Sequence, residues 1–292
     1  MKYSKAVTAT FTDLNGKPQC HVLNREGIIF HSVLSLLEEE KISSLSQTKT
    51  RLNVINNAIS SNHKFFVSLG GGDLIVINSK SGKTVTIETG FSMITHISSD
   101  GHLIALCDND NVVDVFGISE RNVCHINLFR DFPSCICVSS VFHTVVCGTE
   151  DGTVLVYSSN DGILAHSTTI DLPLLDVSVS PTLGAIICHA NDTANEKHRL
   201  IFMTIDCQQY GSVSLNKCSN MKVFKTKNLE DFVVCFHLDY GWVSVIEVSS
   251  LKVKTVPCEI FTNVLCVEYS EILSTLLITT EDGFIKSINI DI

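Results

Sequence analysis

The chain has 292 residues, of which 45% are apolar and 18% charged, with a mean hydropathy of +0.26. This excludes a disordered polymer, and a chain of that length buries about three quarters of its unfolded surface without disulfide or metal staples. The formal charge of −10 excludes a nucleic-acid backbone or an anionic membrane surface as the main partner.

The opening MKYSKAVTATFTD lacks a continuous apolar segment, and no uninterrupted apolar run approaches membrane-spanning length. The expectation is a cytoplasmic protein that neither crosses nor inserts into a membrane. In chain order, a first apolar run covers Ala6–Thr12. CHVLNREGIIFHSV at 20–33 then reads as strand, tight turn, strand. VLSLLEEEKISSL at 33–45 reads either as a short helix, with Leu34, Leu37 and Ile42 in one stripe, or as an outer strand. The strand–turn–strand unit returns as KFFVSLGGGDLIVINS at 64–79, GHLIALCDNDNVVDVFG at 101–117 and HTVVCGTEDGTVLVYSS at 143–159. It recurs at 184–205 with its turn expanded into a polar loop, as FVVCFHLDYGWVSVIEV at 232–248, and as STLLITTEDGFIKSINI at 274–290.

These are seven copies. Their turn residues Gly27, Gly72, Asn111, Gly152, Gly241 and Gly283 set a mean period of about 43 residues, the self-similarity of a β-propeller. The fold class is therefore all-β, a seven-bladed propeller in one domain. Its blades fall near 1–48, 49–89, 90–129, 130–170, 171–218, 219–259 and 260–292. Four strands are placed in each period, which for the fourth gives Cys135–Ser139, Thr144–Gly148, Thr153–Ser158 and Leu164–Ser167. The last period ends after its third strand, so Ala6–Thr12 is expected to supply the missing outer strand and close the ring.

Twelve cysteines in a long chain, without any CxxC, read as reduced core thiols. Cys107, Cys147, Cys188 and Cys235 hold matching places in four successive second strands. Stacked sheets lie about 10 Å apart, too far for a disulfide between such positions.

Asp151-Gly152 followed by Tyr157-Ser158 makes the repeat resemble the WD-repeat propellers, with Tyr157, Phe116, Ile77, Ile246 and Ile288 where that family most often has tryptophan. These are degenerate repeats without the full Asp, His, Ser and Trp hydrogen-bond set. Within that superfamily residues 90–292 resemble the C-terminal propeller of BEACH-domain (Beige, neurobeachin-like) proteins. The resemblance is carried by 135–162, 174–192, 239–254 and 266–290. It implies a non-enzymatic scaffold tied to vesicle or membrane traffic, working through protein contacts, as a monomer or as one part of a longer multidomain protein.

Motifs of chemistry are sparse. Gly70-Gly71-Gly72 lies between two strands, without the following helix and Lys-Ser/Thr of a phosphate cradle. The histidines are scattered singly, with Cys188-His189 adjacent, so neither a metal nor a cofactor is expected. No nucleophile elbow is present. Asn191-Asp192-Thr193 reads as polar loop. The turns between second and third strands emerge on one face and carry Glu26, Asp110, Glu150, Asp151, Asp192, Glu196, Asp239, Glu281 and Asp282. They define a candidate acidic rim for a basic segment of a protein partner. Tyr240 and the single tryptophan, Trp242, are candidate interaction aromatics. The alternative function is a propeller enzyme, hydrolase or quinoprotein-like, with an axial site.

Overall fold

The computed structural model describes residues 6–14, 17–33, 46–50, 57–61, 64–68, 72–118, 122–128, 132–219, 221–260, 262, 264–270, 275–280 and 285–290. These form seven small antiparallel sheets, the blades of a β-propeller, and the one helical feature among them is a single 3-10 turn at Thr193–Asn195. Sheet 1 comprises β1 (Ala6–Leu14), β2 (Lys17–Asn24), β3 (Ile28–Val33) and β4 (Ser46–Lys49). Sheet 2 comprises β5 (Asn57–Ser61), β6 (Lys64–Ser68), β7 (Asp73–Asn78) and β8 (Thr84–Glu88). Sheet 3 holds β9 (Ile94–Ser99), β10 (Leu103–Asp108), β11 (Val112–Gly117) and β12 (Asn122–Asn127). Sheet 4 holds β13 (Pro133–Ser139), β14 (Thr144–Thr149), β15 (Thr153–Ser158) and β16 (Leu164–Thr169). In sheet 5 run β17 (Leu174–Val179), β18 (Ile186–Asp192), β19 (Lys197–Met203) and β20 (Gln209–Leu215). Sheet 6 is β21 (Met221–Lys225), β22 (Asp231–His237), β23 (Trp242–Glu247) and β24 (Val253–Pro257). Sheet 7 is β25 (Val264–Ser270), β26 (Thr275–Thr280) and β27 (Ile285–Asn289). Every sheet is a meander in chain order. The chain divides into two compact units, Met1–Ile94 with Ile260–Ile292, and Thr95–Glu259.

In the second unit the inner strands of sheets 4 and 5 are apolar on both faces because each of these sheets is covered twice. Val145 and Cys147 of β14 pack with Cys107, Val113 and Val115 of sheet 3. On the opposite face, Val146 and Val154 pack with Leu174, Val177, Ile186 and Cys188 of sheet 5. Ile187, Leu200 and Phe202 then meet Met221, Val233, Cys235 and Ile246 of sheet 6. Each such side chain contributes about 1.5–3 kcal/mol of burial. Burial falls toward the outside: every residue of β14 is buried, whereas β16 is almost wholly exposed. Polar ties also cross between sheets. Val138 N–H donates to Ser98 Oγ at 3.1 Å, and Ser134 Oγ donates to the Leu174 carbonyl at 2.8 Å.

In the first unit sheet 1 lies between the other two. Leu23 and Ile29 pack with Phe65, Val67, Ile75 and Ile77 of sheet 2. Ala9, Phe11, Cys20, Val22 and Phe30 pack with Cys266 and Leu277 of sheet 7. The strand expected at Ala6–Thr12 is present but in a different sheet. β1 pairs with β2 from Ala6↔Asn24 to Leu14↔Lys17, so it is the first strand of sheet 1 and not the outer strand of sheet 7. Sheet 7 has three strands among the described residues. The physical reason is connectivity: a strand two residues ahead of β2 forms a hairpin with it before it can reach any distant edge. Residues 34–45, read as helix or outer strand, lie outside the described residues.

All twelve cysteines are free, and ten of them are buried. Cys107, Cys147, Cys188 and Cys235 sit on β10, β14, β18 and β22 without exposure. Burial pushes the Cys107 thiol up to about 11 and the Cys147 and Cys188 thiols well above their ordinary value.

Candidate functional site

The acidic residues stand on turns between second and third strands. Glu26, Asp110, Glu150, Asp151, Glu196 and Asp239 are exposed there, while Asp192 is buried. Glu281 and Asp282 lie outside the described residues. Several of these turns turn on acids that hold their own backbone. Asp151 Oδ1 accepts from the Thr149 hydroxyl and from Thr153 N–H, and these donors hold its carboxyl below the ordinary value. Asp192 accepts from the Asn195 amide and from Arg199 Nη2 at 2.8 Å. Asn195 first, and Arg199 after it, holds that carboxyl low. Gly152 carries the left-handed φ of +90° that the β14–β15 turn requires, and a Cβ there would lie 2.7 Å from the Leu172 carbonyl oxygen. Gly70 and Gly71 lie outside the described residues. Gly72 joins an antiparallel hairpin, β6 to β7, which is not the strand-to-helix setting of a phosphate cradle.

Tyr240 and Trp242 stack with ring centroids 4.9 Å apart and 21° between planes. Tyr240 is 51% exposed, while Trp242 is half-buried and tilts against the His237 ring at 5.9 Å. His237 Nε2 meets Ser244 Oγ at 2.9 Å, and its Nδ1 meets the Lys217 carbonyl at 3.2 Å. His237, Trp242 and Ser244 line a cavity of about 450 Å³, together with Lys197, Leu215 and Asn216.

Beside it the fold assembles a group that spacing along the chain does not announce. The alternation of β18 sends Ile186 and Cys188 toward sheet 4 and Ile187 toward sheet 6, so His189 shares the face of Ile187. In the β18–β19 ladder His189 opposes Leu200 and Asn191 opposes His198, which sets the two histidines on one diagonal. His189 Nε2 lies 2.8 Å from His198 Nδ1, with the rings at 61°. The connection from β20 to β21 then brings Cys218 onto the pair. Its N–H donates to His198 Nδ1 at 3.2 Å, and its Sγ lies 3.4 Å from His189 Nε2 and 3.6 Å from His198 Nδ1. His189 is 2% exposed and Cys218 6%.

The Cys235 thiol, then His189 and His198, hold the Cys218 thiol well below its ordinary range despite burial. Cys235 is correspondingly pushed well above its own, by Cys218 and by burial. Asp176, the cross-strand partner of His189, interacts with it electrostatically; burial raises its carboxyl, and Lys222 and His189 offset part of that. The available sequence signal was weak: single polar residues at core-facing positions of apolar strands, with eight residues between the histidines and Cys218 in a linker between blades.

Among the described residues no helix is long and apolar enough to cross a membrane. No family model matches the chain, and no curated protein matches it. Among solved structures the chain is similar to Kuenenia stuttgartiensis hydrazine synthase, with a TM-score of 0.58 and 16% identity. That likeness covers 75% of this chain and 70% of that one. At such identity it shows the fold alone, a β-propeller.

Proposed function

We propose that the chain is a non-enzymatic scaffold that binds a protein partner through the turns joining first and second strands of sheets 4, 5 and 6. The observation that carries this reading is a row of exposed apolar side chains on three successive turns: Val141 (65%), Leu183 (53%) and Leu229 (61%). The turns are physically linked. The Phe142 ring lies against Gly184, and Asp231 Oδ2 accepts from Thr182 N–H at 2.9 Å and Leu183 N–H at 2.8 Å. Leu229 holds a left-handed φ of 62°, a conformation that costs a leucine roughly 1–2 kcal/mol. An exposed leucine at such a cost favours use in recognition over use in folding.

The main reactive convergence, His189 with Cys218, is buried, which favours a scaffold over an enzyme even though hydrazine synthase is named as one. The sequence resemblance to BEACH-domain propellers extends the reading to membrane traffic. The acidic turns belong to the opposite end of the same sheets and offer the competing face for a basic segment.

A photo-cross-linking side chain placed at Leu183, and separately at Glu150, tests both in cells. Discrete adducts from position 183, identified by mass spectrometry, are expected. Adducts from position 150 alone would move the partner to the acidic end, and adducts from neither position would overturn the scaffold reading.

A further inference from the structure

We infer that His189, His198 and Cys218 form a zinc site of three protein ligands that pins the β20–β21 connection to sheet 5, independently of the scaffold reading. Three lone-pair atoms, His189 Nε2, His198 Nδ1 and Cys218 Sγ, all lie within 4.8 Å of one another. Hydrogen bonding alone satisfies this arrangement poorly. His198 Nδ1 has one in-plane lone pair and is approached by His189 Nε2 at 2.8 Å, Cys218 N–H at 3.2 Å and Cys218 Sγ at 3.6 Å. A cation at the common point takes the lone pairs of His189 Nε2, His198 Nδ1 and Cys218 Sγ at once.

The spacing fits a tetrahedral ion. Bond lengths of about 2.0–2.1 Å to nitrogen and about 2.3 Å to sulfur place ligating N and S about 3.5 Å apart and two nitrogens about 3.4 Å apart. The two S···N distances, 3.4 and 3.6 Å, already match. The N···N distance of 2.8 Å opens by about half an ångström on coordination.

The chemistry of the donors selects the metal. Two imidazoles and a thiolate suit zinc, and hard cations such as Mg²⁺ or Ca²⁺ take oxygen donors. The Cys218 thiol loses its proton to solvent as the ion binds, and the thiolate offsets half of the ion's charge. Asp176 facing His189 supplies the outer carboxylate that such histidines use. The neighbouring cavity provides an entry path, because Leu215, which lines it, is the cross-strand partner of His198.

The test uses the full chain, purified under reducing conditions without chelator. Elemental analysis is expected to find zinc retained at one ion per chain. Replacement by Co²⁺ is expected to give the visible bands of a tetrahedral ion together with a thiolate charge-transfer band. Cys218→Ser is expected to remove the charge-transfer intensity from Cys218 and to weaken retention at least tenfold, while Cys207→Ser, a control away from the cluster, changes neither. Absence of both zinc and a Co²⁺ spectrum in the wild-type chain overturns the site, with no dependence on how any variant folds. So does retention that His198→Ala and Cys218→Ser leave unchanged, or a Cys218–Cys235 disulfide found in place of the metal.

Discussion

At Gly148 the backbone of β14 is so closely packed that a Cβ would lie 2.7 Å from Cys135 Sγ of the adjacent strand, and 2.9 Å from Leu174 Cδ1 and 3.0 Å from Val177 Cγ1 of the next sheet. Neither the two aliphatic neighbours nor the thiol has room to retreat in a fully buried layer, so Gly148→Ala overpacks it. The expected loss is about 1–3 kcal/mol, read as a lower denaturant midpoint at unchanged slope; an unchanged midpoint would show that the layer yields. At this scale the cysteines were legible and the histidine–cysteine cluster was not. Cys107, Cys147, Cys188 and Cys235 recur at one place in a repeated strand, so pattern alone assigns them to the core. His189, His198 and Cys218 meet only because of the β18–β19 register and the path of one linker, and neither leaves a local motif.

The tie between sheets 3 and 4 belongs to the scale of the element. Asp100, in the β9–β10 turn, accepts from His102 N–H and Leu103 N–H, both at 3.0 Å, and from Ser140 N–H in the β13–β14 turn. Burial opposes its charge, but these donors outweigh it and hold the carboxyl below its ordinary value. A depressed carboxylate contributes stability above the unfolded value of about 4 that is lost as pH falls through the folded one. Asp100→Asn is therefore expected to cost about 1 kcal/mol at pH 7, the group being partly exposed. The gap from the wild type should close below about pH 4, as followed by unfolding at several pH values; a pH-independent gap would assign the loss to shape.

The strands themselves were legible wherever a hairpin repeated. The expected fourth-period strands agree with β13 to β16 within about two residues at each end, the usual ambiguity of strand ends. β1 was placed in the wrong sheet because the expectation followed from the need to close a ring, while the chain obeyed its shortest connection. Outer strands such as β16 carried little pattern because almost every side chain on them faces solvent.

At the scale of the whole molecule, sheets 1 and 7 are held together by packing and not by a shared strand. Leu277 stands on β26 against Phe11, Cys20 and Val22, and Cys20 Sγ meets Thr279 Oγ1 at 3.7 Å. Leu277→Ala is expected to cost about 2–5 kcal/mol, whereas Val85→Ala on the exposed β8 should cost less than about 0.5 kcal/mol. Hydrogen exchange should show β2 and β26 losing protection together in the Leu277 variant; loss confined to β26 would mean that the two sheets do not act as one unit.

The same junction governs the order of folding. Cys20 and Thr279 are 259 residues apart, so during synthesis the apolar face of sheet 1 waits over that whole stretch for its partner. Sheets 4 to 6 pack on neighbours already present and can condense as they emerge, whereas Phe11, Val22 and Phe30 stay uncovered throughout. Of the seven sheets, the first made is among the last completed, and its apolar face is the surface on which the nascent chain most needs a chaperone.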